Sequence, residues 1–254
     1  MPLSFPVLSL LVAVAFAAGF VDSIAGGGGL LSLPALLAAG LPPHLALGTN
    51  KGQSVFGSAA ATVRYAGAGV VDRRRAIAAF PFAFLGALAG AWLVLRLRSD
   101  LLRPLVIVLL VGAAAVLVVR RPEEGVREPL IRAVLPGAAV IAFLLGGYDG
   151  FFGPGTGTFL LIAHTMLLGD SIARGTGAAK LVNFASNLAS VVLFAARGVI
   201  VWKIALPMAA AQTAGGWLGA HVAVRKGDRF IRGVVLAVVA VLVGKLTLDG
   251  LRSP

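Results

Sequence analysis

Long charge-free apolar runs alternate along this chain with short clusters of arginine, lysine and glycine. The charge-free stretches are residues 1–21, 76–95, 104–119, 133–148, 150–169, 181–196 and 204–224. Several approach the roughly 20 residues that carry a helix across a bilayer. The pattern predicts ten helical segments, at about 4–21, 29–40, 46–66, 76–96, 102–120, 130–148, 157–168, 176–196, 200–223 and 230–248. The second and seventh are too short to cross alone and read as half-helices.

Each half-helix follows a glycine-rich break. The first break is Gly19-Phe-Val-Asp-Ser-Ile-Ala-Gly-Gly-Gly-Gly29 and the second is Gly147-Tyr-Asp-Gly-Phe-Phe-Gly-Pro-Gly-Thr-Gly157. Each glycine in a helix costs about 1 kcal/mol relative to alanine, so runs this dense interrupt it. At membrane depth, opened backbone is tolerated only where it is buried in protein or lines a cavity. Paired interruptions of this kind point to the binding site of a transporter.

The two halves read as copies. Asp22 falls on Asp149 at a shift of 127, as do Gly26 on Gly153, Gly28 on Gly155 and Gly48-Thr49 on Gly175-Thr176. At a shift of 129, Lys51, Ser54 and Ser58 fall on Lys180, Asn183 and Asn187, and Gly86-x3-Gly90 falls on Gly215-x3-Gly219. The expected organisation is therefore a first repeat over 1–120, a hydrophilic linker over 121–129 and a second repeat over 130–254. The fold class is an all-α integral membrane protein. Its two repeats of about five segments are inverted relative to each other if every segment crosses.

Charge supports that count of crossings. With ten crossings, twelve Lys and Arg fall on one side, including Arg73-Arg74-Arg75, Arg120, Arg121, Arg127, Arg132, Arg174, Arg225 and Lys226, and six fall on the other. If the short segments were re-entrant, the repeats would be parallel and the same charges would divide ten to eight. The positive-inside rule favours the larger bias and makes the first side cytoplasmic. The net charge of +12 is thus loop charge and does not mark a nucleic-acid partner. With 59% hydrophobic and 13% charged residues and a mean hydropathy of +0.96, a soluble fold is excluded. The location implied is the inner (plasma) membrane, crossed many times.

The candidate chemistry is concentrated on two helix faces. Lys51-x2-Ser54-x3-Ser58 and Lys180-x2-Asn183-x3-Asn187 each place three polar groups on one side of a helix. An intramembrane lysine costs about 2.5–3.5 kcal/mol or more, so it faces a partner or a wet cavity. The alternative is that both lysines snorkel to an interface. Lysine, amide, hydroxyl and free backbone N–H groups all donate hydrogen bonds, which suits an anion. The expected substrate-binding set is Lys51, Lys180, Asn50, Ser54, Asn183, Asn187, Gly27, Gly28, Gly155 and Thr156. Replacing either lysine by alanine is expected to end anion flux and leave the fold intact. Asp22 and Asp149 serve as proton carriers, as counter-ions to the lysines or as helix caps, with the last two favoured. Gly86-x3-Gly90 and Gly215-x3-Gly219 read as close-packing faces. Gln212 lies mid-span and needs a partner.

Other chemistry finds little footing. There are no cysteines, and His44, His164 and His221 lack ligand spacing, so neither a metal nor another cofactor is called for. No nucleotide-binding P-loop is present. An intramembrane aspartyl enzyme would need Asp22 and Asp149 to share a site, which gives the duplicated lysine faces no role. The chain therefore reads as a non-enzyme: a secondary transporter, with an anion channel as the further alternative. Its partners are a small anionic substrate and the bilayer, and assembly into a homo-oligomer stays open.

The segments Asp22-Ser-Ile-Ala-Gly-Gly-Gly-Gly29, Gly48-Thr-Asn-Lys51, Tyr148-Asp-Gly-Phe-Phe-Gly-Pro-Gly-Thr-Gly157 and Lys180-Leu-Val-Asn-Phe-Ala-Ser-Asn187 resemble the TauE/SafE family of sulfite exporters. The resemblance covers about residues 7–245. It implies duplicated transmembrane halves and export of sulfite, sulfoacetate or a related organic anion by alternating access around a midplane site. One departure is Gly175-Thr-Gly-Ala-Ala-Lys180, which lacks a threonine that the family often carries before the second lysine.

Overall fold

The computed structural model describes residues 4–119, 128–131 and 133–252. The hydrophilic connection expected at 121–129 lies almost wholly outside these residues. The described chain is helical: α1 Phe5–Ala25, α2 Gly29–Ala38, α3 Pro43–Gly67, α4 Arg73–Arg96, α5 Ser99–Val119, α6 Val134–Phe151, α7 Thr156–Leu167, α8 Ile172–Ala196 and α9 Trp202–Arg252. Gly227, with φ 70° and ψ −167°, breaks α9 between the two segments expected at 200–223 and 230–248. Among the described residues four helices, α1, α4, α6 and α8, are long and apolar enough to cross a membrane.

The two interruptions fall where glycine permits them. Gly26 and Gly27 take φ of 75° and 92°, and Gly153 and Gly155 take 98° and 86°, values that L-residues avoid. α2 and α7 restart with 10 and 12 residues. At 1.5 Å per residue they span about 15 and 18 Å, half a bilayer. Two ends differ from expectation. α1 runs past Asp22 to Ala25, and α6 runs through Gly146, Gly147 and Gly150 to Phe151. Those α6 glycines do not break the helix because they let it sit against α4: a Cβ on Gly146 would strike Ala83, and one on Gly150 would strike Ala87.

Packing crosses between the halves. Gly86 and Gly90 of α4 lie against the carbonyls of Phe143 and Gly147, so α4 and α6 run parallel. Gly215 and Gly219 of α9 lie against the carbonyls of Phe16 and Phe20, so α1 and α9 run parallel too. The small-residue faces of α4 and α9 thus serve close packing, as their spacing implies. α3 and α8 run antiparallel. Gly48, near the start of α3, abuts Val199 beyond the end of α8, and Gly177, near the start of α8, abuts Tyr65 and Val71 at the end of α3.

This arrangement sorts the basic side chains into two ends. Arg73, Arg74, Arg75 and Arg174 gather at the end where α4 and α8 begin, joined by the α9 kink through the Ala173 N–H to Asp228 bond of 2.9 Å. Arg96, Arg98, Arg197 and Lys203 lie at the other, where His44 bonds Ser99 and the Val94 carbonyl and the Val201 N–H bonds Thr49. One apolar cluster, around Leu33, Leu36, Leu47, Phe194 and Ile204, packs toward the second end.

Candidate functional site

Lys51 and Lys180 are the ninth residues of their helices, and both are buried, at 2% and 0% exposure. Neither snorkels. Because α3 and α8 cross antiparallel, each ammonium reaches the aspartate of the other half. Lys51 Nζ donates to Asp149 Oδ1 at 2.7 Å, and Lys180 Nζ donates to Asp22 Oδ2 at 2.8 Å. Lys51 also donates to Asn187 Oδ1 at 2.9 Å, and Lys180 to Asn183 Oδ1 at 3.3 Å. The ion pairs therefore link the end of α6 to α3 and the end of α1 to α8.

Each aspartate is further committed. Asp149 Oδ2 accepts from Asn183 Nδ2 at 3.2 Å and from the Ser186 hydroxyl. Asp22 Oδ1 accepts from the Gly28 N–H at 3.1 Å, at the residue that precedes α2. Asp22 is thus both a lysine counter-ion and a cap on the half-helix, whereas Asp149 makes only side-chain bonds.

Between them lies a cavity of about 30 Å³, lined by Asp22, Asn50, Lys51, Ser54, Asp149 and Asn183, with Gly29, Gly153, Gly157, Asn187 and Gln212 completing the wall. That is room for about one water. The glycines bring the breaks to the lysines. A Cβ on Gly153 would lie 3.1 Å from Lys51 Nζ, and one on Gly157 would lie 3.1 Å from Lys180 Nζ and 2.7 Å from Gly26 Cα. Thr158 ties the two breaks together by donating to the Ala25 carbonyl at 2.7 Å.

Of the residues expected to bind substrate, Asn50, Lys51, Ser54, Asn183 and Asn187 line this cavity. Lys180 stands behind it, bonded to Asp22 and Asn183, which do line it. Four others are placed elsewhere. Gly28 is pinned against Ala18 and Asp22 of α1. Gly27 takes the left-handed turn and faces Leu30. Gly155 packs toward Ala113 and Phe159, and the Thr156 hydroxyl donates to the Gly153 carbonyl at 2.6 Å, closing its own turn. The Gly28 N–H and the Thr156 N–H and hydroxyl are thus spent on building the break.

Sequence reasoning missed three contributors. Ser186 bonds Asp149, Ser32 donates to Asn50 Oδ1 at 2.6 Å, and Gln53 donates to the same oxygen at 3.1 Å. Ser186 shares the i, i+3, i+6 face of Lys180 and Asn183, which is the signal that could have found it. Gln212 does reach the cavity. Its amide donates to Ser54 at 3.3 Å and its Oε1 is a buried acceptor with no protein partner. Among the described residues no cluster of His, Cys, Asp or Glu is arranged to hold a metal.

The burial of both pairs revises one expectation. Removing a lysine alone leaves a buried carboxylate without its cation, which typically costs about 3–5 kcal/mol. A single alanine variant therefore tests folding as much as flux.

Comparison with known proteins gives a consistent picture. The family model described as sulfite exporter TauE/SafE matches residues 11–246. The probable membrane transporter protein YfcA of Escherichia coli K12 is 38% identical over 244 residues, covering 95% of this chain and 90% of the relative. The probable membrane transporter protein ORF9 of a Sinorhizobium species is 37% identical over 249 residues, covering 97% and 95%. A probable membrane transporter protein of Haemophilus influenzae is 36% identical over 251 residues, covering 98% of each chain. No solved structure matches the chain. With two buried Lys–Asp pairs at two helix breaks, and this likeness from end to end, the chain belongs to the TauE/SafE sulfite exporter family of membrane transporters.

Proposed function

We propose that the chain is a secondary transporter that exports a small anion, sulfite or an organosulfonate, across the inner membrane. The observation that carries this reading is the pair of buried lysines, each held by an aspartate from the other half, around one polar cavity. A buried ammonium is costly to keep. Its use is to offer an anion the place that an aspartate holds at rest. The cavity holds about one water, so in this proposal a Lys–Asp pair parts as the anion enters. Anion export into a positive exterior gains about 2.3 kcal/mol per charge per 100 mV, so efflux requires no nucleotide.

The alternating-access reading follows from the helix directions. Residues 1–120 and 130–254 are two inverted repeats in this proposal. Three reciprocities support it: Lys51–Asp149 with Lys180–Asp22, Gly86–Phe143 with Gly215–Phe16, and the antiparallel crossing of α3 and α8. Parallel repeats with re-entrant half-helices would make α3 and α8 parallel. The moving bodies in this proposal do not coincide with the two repeats. α1 is packed with α9 and α4 with α6, so each body mixes both repeats. The end bearing Arg73–Arg75 and Arg174 faces the cytoplasm. The enzyme alternative loses ground here, because each aspartate is committed to its own lysine instead of sharing a proton with the other.

The test is efflux from proteoliposomes loaded with sulfite, sulfoacetate, sulfate or taurine. Saturable efflux, faster with an inside-negative potential, is expected for at least one sulfur anion. The matched variant Lys51→Met with Asp149→Leu removes the pair without stranding a charge, and should fold and carry no flux. Wild-type flux in that folded variant would remove the proposed site.

A further inference from the structure

Outside the central site, a cavity of about 240 Å³ lined by charged side chains lies at the basic end, between the beginnings of α4 and α8. It is eight times the volume of the central cavity, whose 30 Å³ holds about one water. Its polar rim carries Arg75, Arg174, His164, Asp170 and Asp72, and its wall is apolar, with Val71, Ala79, Leu181 and Val182.

The polar groups form a chain across three elements. Asp170 Oδ2, in the connection between α7 and α8, accepts from Arg75 Nη1 of α4 at 2.7 Å and meets His164 Nδ1 of α7 at 3.0 Å. Asp72 caps α4 by accepting from the Arg75 N–H and lies 3.5 Å from Arg75 Nε. Arg174 lines the cavity and is exposed, with no carboxylate partner among the described residues. Two helix N-termini, those of α4 and α8, add their positive ends to the same rim.

The matching place in the other half is built differently. The shift of 127 carries His164, Asp170 and Arg174 onto Leu37, Pro43 and Leu47, and the shift of 129 carries Arg75 onto Ile204. Leu47 and Ile204 are buried in the apolar cluster, with Leu37 packed against it. Closing that end of the molecule thus needs only hydrocarbon. The other end has its own cavity, of about 470 Å³, but Pro34, Leu37, Leu41, Pro43, Ile107 and Leu110 line it with apolar side chains, so the arginines and histidine are particular to the basic end.

We infer that this cavity is a second anion site, a vestibule that takes a small organic anion, a sulfonate or carboxylate on a short apolar stem. The headgroup sits at Arg174 and Arg75, and the stem lies along Val71, Leu181 and Val182. The floor, Ala178, Leu181 and Val182, flanks Lys180 on α8, so the central site is about one helix diameter away. The inference rests on the anion-carrier reading and adds where the anion waits before it reaches the lysines.

The experiment is equilibrium binding of butanesulfonate to the full chain in nanodiscs, by calorimetry. The variant Lys51→Met/Asp149→Leu, which lacks the central pair, should still bind one butanesulfonate per chain. Adding Arg174→Gln should weaken that binding about tenfold, the usual worth of a charge-assisted hydrogen bond. Adding Arg75→Gln as well should remove it. Absence of binding in the first variant, or binding indifferent to Arg174→Gln, overturns the vestibule. Arg174 is exposed, so its replacement leaves the fold intact and the result readable. Flux is read separately: if the wild type binds butanesulfonate at Arg174 and moves no anion, the vestibule stands and the transporter reading falls.

Discussion

Lys51 and Lys180 hold matching places on α3 and α8, yet their aspartates live differently. The Asp149 side chain is 4% exposed and receives Lys51, Asn183 and Ser186. The Asp22 side chain is 22% exposed and receives Lys180 and one backbone N–H. The difference traces to α8, which offers Asn183, Ser186 and Asn187 where α3 has Ser54, Gly57 and Ser58. Gly57 cannot gain a side chain easily, because a Cβ there would lie 2.7 Å from Gln212 Cγ. One repeat thus supplies most of the amide chemistry for both pairs. The lesson is that duplicated ion pairs are not equivalent: Lys51–Asp149 is the more buried and more heavily bonded, and we take it as the anchor, with Lys180–Asp22 the pair expected to part first.

Four measurements break or sharpen that contrast. The largest effect is expected from Asp149→Ala, which strands Lys51 in a site only 3% exposed and should cost about 3–5 kcal/mol in unfolding experiments in detergent. Asp22→Ala strands Lys180, whose side chain is fully buried, but it removes two bonds to the acid instead of three and vacates a side that solvent already reaches, so it should cost less; equal losses would erase the distinction. Gly157→Ala comes next. Its methyl would lie 2.7 Å from Gly26 Cα and 3.1 Å from Lys180 Nζ, and overpacking of this kind costs about 1–3 kcal/mol. Efflux through that variant should fall more than its stability does. Ser186→Ala should cost about 1.5 kcal/mol, the low end for a bond to a charged group. It should bring the two pairs closer together, and an unchanged melting temperature would show that Ser186 adds nothing to the anchor.

The smallest effect concerns acid. Burial pushes the Asp170 carboxyl up, but the hydrogen bond and charge of His164, with the Arg75 guanidinium, outweigh it and hold Asp170 below its ordinary 3.8. A carboxylate with a lowered folded value contributes stability that is fully present above its unfolded value and is lost as pH falls through the folded one. The contribution of the Asp170 carboxylate should therefore fade only below about pH 4. Asp170→Asn should remove that acid limb from the stability profile.

Much of this was legible because the costs involved are local. Four glycines in a row break a helix wherever they stand, and three polar residues at i, i+3 and i+7 share a face in any helix. Hence the breaks at Gly26 and Gly153 and the faces of Lys51 and Lys180 could be read directly. What could not be read was set by neighbours far away in sequence. Gly146, Gly147 and Gly150 look like breakers and instead fit against α4. Thr156 looks like a free donor and serves its own turn. That each lysine bonds the opposite half's acid depends on the antiparallel crossing of α3 and α8, and no local pattern encodes which helices cross.

The order in which these charges are made bears on how the protein is born. Lys51 is synthesised 98 residues before Asp149, and Asp22 is synthesised 158 residues before Lys180. At about 5–20 residues per second, Asp22 enters the translocation machinery roughly 8–30 s ahead of the only ammonium group that will neutralise it. During nascent-chain insertion the bilayer must harbour a lone carboxylate first and a lone lysine second. The most exposed moment in this protein's biogenesis therefore ends only when residue 180 leaves the ribosome.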